Sequence, residues 1–258
     1  NSEMSMQKLY TWRARWLPPG AVLVLMMAAF AGVRMTYSAP RFSDGNAYLY
    51  MGHAVAEGAA LYRDIFYPSP PLIPYLAAWF GSCFGFTWWT FNLIPMVLTL
   101  VEAGAVFALL RRQVGDWVAV SACGIYLGSF IVLATTDFVT GIHLVTALVL
   151  LALWAVETKP PVVAGLLIGL ALLAKIYAVV LLAALGAIYA WRRDFKSLMI
   201  YVASALAISG LTLLAWWWWL GDVLIENTIS SHSGSIAGID KVKILIFGLR
   251  HDWPLLLP

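Results

Sequence analysis

Apolar residues fall in long runs separated by short polar connections, and no run alternates with a period of two. A stretch of roughly 20 apolar residues spans the hydrocarbon core as a helix, whereas a membrane β-strand would alternate. The first run covers about 18–37 and the second about 88–110. Others follow at about 117–134, 138–156, 160–174, 176–191 and 197–220, and Trp253 opens one more. The pattern predicts an all-α, polytopic transmembrane helix bundle of about seven spans plus the start of an eighth. The runs at 160–174 and 176–191 are short, which predicts tilted, buried or incomplete spans.

Charge decides how the 38–87 segment is placed. Its last part, Pro71–Phe86, is apolar yet too short for a comfortable span. Basic residues beside a span favour the cytoplasmic side. Lys8, Arg13 and Arg15 precede the first span, and Arg111 and Arg112 close the second. Lys159, then Arg192, Arg193 and Lys196, occupy alternate later connections. If Pro71–Phe86 crossed, every one of those later clusters would invert. It therefore reads as a re-entrant or interfacial helix, opened by Pro70-Pro71 and closed near Gly85. The N-terminus is then cytoplasmic, 38–87 is the first extracytoplasmic loop and 221–251 is another outer loop. Trp216 to Trp219 form an interfacial anchor. Residues 1–258 read as a single transmembrane domain whose C-terminal apolar run is unfinished at Pro258.

Composition agrees. Hydrophobic residues make up 62% of the chain and charged ones 11%, against about 25% charged in soluble domains, and the mean hydropathy is +0.84. The net charge of +3 is spread over the connections, which argues against nucleic acid. Cys83 and Cys123 make no disulfide framework. No phosphate-cradling glycine loop, Gly-x-Ser-x-Gly elbow or His-x-x-x-His pair is present, so nucleotide hydrolysis, serine hydrolysis and zinc chemistry are poor readings.

The candidate chemistry gathers in Arg41–Tyr75. Asp44 lies just beyond the first span, where a carboxylate can act as a general base or hold a divalent metal. Spacing alone favours the plainer role, in which Ser43 or Asp44 caps a helix carrying Tyr48, Met51 and Val55 on one face. Asp64 is a further catalytic candidate, or a partner for Arg63 or a cap. Asp137 occupies the second outer loop, at the same membrane face as Asp44. Lys175 interrupts two apolar runs at that face, where a cation calls for an anion such as phosphate or snorkels to water. Glu102 lies within the second span and is a functional candidate by position, or it satisfies a neighbouring helix.

One span, then an outer loop with Asp44, Tyr48, Gly58, Tyr62 and Asp64, then Pro70-Pro71-Leu72 with Tyr75 and Leu76, resembles the GT-C membrane glycosyltransferases. The nearest branch holds the protein O-mannosyltransferases and lipid A aminoarabinose transferases. The run Gly169-Leu-Ala-Leu-Leu-Ala-Lys175 is a second likeness. The resemblance implies transfer of a sugar from a polyprenyl-phosphate donor to an extracytoplasmic acceptor (glycan, lipid or protein), in the cell inner membrane. It assigns the base or metal-associated role to Asp44, with support from Asp137. Lys175 and Arg63 would hold the lipid phosphate, and Tyr48 and Tyr62 would line the substrate site. Any metal, Mg or Mn, would sit on Asp44 and Asp137. Two departures stand out: Gly45 follows Asp44 where the family often has a second acid, and Asn92 stands where it commonly has arginine. They keep open a non-catalytic subunit or scaffold of a larger membrane complex. A lipid transporter is the third reading.

Overall fold

In the computed structural model, residues 17–37, 44–136 and 139–230 are described, and all regular structure among them is helical. The helices are α1 (Pro19–Tyr37), α2 (Asp44–Ala56), α3 (Leu72–Phe84), α4 (Trp88–Val114), α5 (Asp116–Gly128) and α6 (Phe130–Thr135). They continue as α7 (Ile142–Thr158), α8 (Pro161–Ala174), a 3-10 turn (Ile176–Ala178), α9 (Val179–Trp191), α10 (Phe195–Leu220) and α11 (Asp222–Ile225). By length and apolarity α1, α4 and α10 can cross a membrane. The expected span opening at Trp253 lies outside the described residues.

Helix boundaries follow local chemistry. Thr87 caps α4 by accepting from Thr90 N at 3.2 Å, and Asp194 caps α10 by accepting from Ser197 N at 3.0 Å. The same contacts with Ser197 hold the exposed Asp194 carboxyl below its usual range. Pro161, which lacks the N–H that a first-turn residue leaves unbonded, opens α8. Pro71 and Gly85 bracket α3 as expected. Its 13 residues reach only about 20 Å, too short to cross the core.

The span expected at 117–134 is interrupted. Ser129 takes extended dihedrals after Gly128, and its hydroxyl accepts from Val132 N at 3.3 Å. A poor helix former followed by a good N-cap ends one helix and starts the next. The span expected from about 138 likewise starts late, at Ile142, behind Gly141 at φ +83°.

The bundle is held by small residues. Gly165 and Gly169 on α8 face Tyr201, Ser204, Ala205 and Ile208 on α10, and a Cβ at Gly169 would lie 2.7 Å from the Ala205 carbonyl oxygen. Small residues one turn apart let two backbones meet, the usual way membrane helices associate. Because rising positions on α8 match rising positions on α10, the two run parallel. Around this seam pack Ala152, Ala155, Ile168, Leu185 and Tyr189. A second core joins Ile73 and Ala77 of α3 to Phe91 and Ile94 of α4, Val145 and Leu148 of α7, and Ala171 and Ala174 of α8. Helix α1 lies on the outside of α4 and α5 through Leu23 and Phe30.

Candidate active site

The first loop is a folded subdomain rather than a tether. Leu61, Tyr62, Ile65, Tyr67 and Leu224 form its core, with Tyr48, Met51, Ala54 and Val55 of α2 turned onto it. That is the helical face expected from the sequence. Gly52 lets α2 lie close on α3, since a Cβ there would be 2.7 Å from that of Ala77. Trp216 of α10 braces the loop, edge-on to Tyr62 at 5.7 Å and tilted against Tyr75 at 5.5 Å. The other three tryptophans of the run are exposed. One of the four expected anchors is therefore a pillar of the loop.

Lys175 sits where α8 ends, in extended backbone. Its ammonium donates to the Tyr48 hydroxyl at 2.8 Å and lies 3.5 Å from Ser69 Oγ. It also stands 5.2 Å from the Tyr48 ring centre. No carboxylate among the described residues pairs with it. Ser69 is fixed in turn by its carbonyl oxygen, which accepts from the Tyr62 hydroxyl at 2.6 Å. Tyr67 is 1% exposed. The hydroxyls of Tyr48 and Ser69 are its neighbours, yet neither completes a hydrogen bond with it. Burial pushes the Tyr62 and Tyr67 phenols well above the usual tyrosine range, and neighbouring tyrosines push further. Both remain protonated, and the Tyr67 hydroxyl completes no hydrogen bond among the described residues.

Beside this cluster lies an apolar cleft of ≈ 280 Å³ lined by Pro71, Leu72, Tyr75, Leu173, Thr212 and Trp216. The cleft is joined to the cluster through Trp216, which packs on Tyr62, and Tyr62 in turn donates to the Ser69 carbonyl. A cation with no carboxylate partner among the described residues, near a greasy cleft, suits an amphipathic anion.

Asp44 is the first residue of α2, but its side chain and Asp137 lie outside the described residues. Asp64 is exposed and accepts from Ala60 N at 2.8 Å, the turn-capping role. Arg63 is exposed and makes no pair with it. Tyr62 is buried and spends its hydroxyl on the loop. Among the described residues no three or more His, Cys, Asp or Glu side chains gather as a metal cluster.

A second polar cluster is buried within the bundle. Glu102 of α4 is fully buried and accepts from His143 Nδ1 of α7 at 2.9 Å. It also accepts from the Tyr126 hydroxyl of α5. Because a carboxylate can only accept, Nδ1 is assigned the proton. The other ring nitrogen meets Thr135 Oγ1 at 3.0 Å, and Thr99 Oγ1 lies 3.1 Å from Nδ1. Sequence reasoning placed Glu102 but missed His143, Ser69 and Tyr67. The signal for His143 was an ionisable residue opening an apolar run one helix away from a buried acid.

No curated protein and no solved structure matches this chain. Residues 68–219 match the family described as dolichyl-phosphate-mannose-protein mannosyltransferase. That segment includes Ser69, α3, the residues lining the apolar cleft, Lys175 and Trp216, while Tyr48, Tyr62 and Tyr67 lie before it. The chain belongs to this family, and with it to the membrane glycosyltransferases of the GT-C type.

Proposed function

We propose that the chain transfers a sugar from a polyprenyl-phosphate donor to an acceptor on the extracytoplasmic face of the membrane, with its N-terminus in the cytoplasm of a cell whose inner membrane it crosses. The observation that carries this reading is Lys175, an ammonium held among the described residues by hydroxyls and by no carboxylate, near an apolar cleft. The lipid phosphate takes the place beside Lys175 and the polyprenyl chain follows the cleft.

The acceptor oxygen forms its bond to the anomeric carbon as the bond from that carbon to phosphate oxygen breaks. Phosphate leaves with the electron pair, and Lys175 offsets the charge that develops on it. The acceptor proton passes to a carboxylate, a role for Asp44 supported by Asp137. If Mg²⁺ or Mn²⁺ takes part, the same two acids are its oxygen donors. Tyr48 and Ser69 orient the ammonium.

The test uses the full chain in proteoliposomes with a panel of polyprenyl-phosphate sugars, mannose first. Lys175→Met lowers donor kcat/KM by about 100-fold, the usual scale for losing one group that stabilises developing charge, while the thermal midpoint is kept. Asp44→Asn removes transfer and leaves donor binding. Full activity in both variants would remove Lys175 and Asp44 from the site, and no transfer by the unsubstituted chain from any donor of the panel would make it a non-catalytic subunit, the reading favoured by Gly45 and Asn92.

A further inference from the structure

We infer that Glu102 and His143 are positioning residues for Lys175: their buried pair holds the start of α7 so that Gly141 bears on the stem of the lysine. This rests on the proposed role of Lys175 and adds residues that do not touch the substrate.

The chain of contacts is short. His143 is in the first turn of α7 and Gly141 is its N-cap. Glu102, Thr99 and Thr135 hold the His143 ring on both nitrogens, so the first turn of α7 cannot slide or rotate without breaking buried hydrogen bonds. Gly141, fixed by that turn, packs against α3 and α8. A Cβ there would lie 2.8 Å from Ile73 Cδ1 and 3.4 Å from Lys175 Cε. His143, Gly141 and Ile73 also line one small void of ≈ 10 Å³, about the room of a single water. The surface that supports the lysine is therefore continuous with the surface that holds the histidine. Glycine is needed at 141 twice over, for φ +83° and for the missing Cβ.

A buried acid that only stabilised the bundle would lower the amount of folded enzyme and leave donor KM alone. A positioning pair changes KM. In the full chain in proteoliposomes, with polyprenyl-phosphate mannose or whichever panel donor is turned over, Glu102→Leu raises donor KM about tenfold. Glu102→Gln, which keeps a hydrogen-bonding group at the same place, restores most of it. In a Lys175→Met background, Glu102→Leu adds nothing further to KM, because the two changes remove one interaction. Should Glu102→Leu fail to fold, Gly141→Ala tests the other end of the same contact chain and raises KM likewise. Additive effects, or an unchanged KM in Glu102→Leu and Gly141→Ala beside a raised one in Lys175→Met, overturn the positioning role alone. An unchanged KM in Lys175→Met overturns the lysine reading and this inference with it.

Discussion

Glu102 and Lys175 are both chargeable side chains set among apolar helices, and their surroundings differ in completeness. Around Glu102, groups from α4, α5, α6 and α7 satisfy one another, with Glu102 and His143 themselves buried. Around Lys175, two hydroxyls take part of the ammonium's valence, no described carboxylate faces it, and Tyr67 keeps an unused hydroxyl. Burying a polar group is costly unless it is paired. The first cluster meets that requirement internally. Among the described residues the second does not, which is the difference expected between a binding site and a structural joint.

The contrast can be attacked from both sides. The largest effect belongs to Glu102→Ala. Removing one partner of a buried pair leaves the other uncompensated and costs about 3–5 kcal/mol, read as a lower thermal midpoint in detergent. Lys175→Met in the same assay keeps its midpoint, and the contrast collapses if the two proteins melt alike. Next is Gly169→Leu on the α8–α10 seam. Overpacking there costs about 1–3 kcal/mol with donor KM unchanged, so a KM effect would show that the seam and the site are not separate. Tyr67→Phe is smaller and opposite in sign. Deleting an unsatisfied buried hydroxyl raises stability by about 1 kcal/mol, while donor affinity falls a few-fold. A stability loss would mean that the hydroxyl is already bonded.

The smallest effect is a pH response at Asp194. Its folded pKa is depressed, so its contribution is present above the unfolded carboxylate pKa and is lost as pH falls through the folded one. In Asp194→Asn this acid-side slope of the melting curve disappears.

Much of this was legible in the sequence because lipid allows few solutions. Apolar runs had to be helices, and Pro71 and Gly85 marked a segment too short to cross. The face of α2 that carries Tyr48 followed from its spacing, and the break at Lys175 followed from a cation between two greasy runs. What escaped notice depends on partners distant in the chain. His143 looked isolated because its partner lies on another helix. Trp216 looked like its three neighbours because only the tertiary fold turns it inward. Ser129 ended a helix that hydrophobicity alone would have continued. Asp64 could be weighed between base and cap, but only geometry shows its carboxylate on the Ala60 amide.

The lengths of α8 and α9 have a consequence for the bilayer itself. With 14 and 13 residues they reach only about 21 and 20 Å, against a hydrocarbon core of about 30 Å. If both stand along the bilayer normal with Lys159 and Arg192 in one headgroup plane, as in the proposed topology, Lys175 at their junction stands roughly 9 Å short of the opposite plane. In that arrangement lipids around this corner would compress, or lipid headgroups would sink, to meet the ammonium. Such a dimple costs fractions of a kcal/mol per Å. It makes the protein sensitive to membrane thickness: longer acyl chains would work against phosphate reaching the lysine, and shorter ones would favour it.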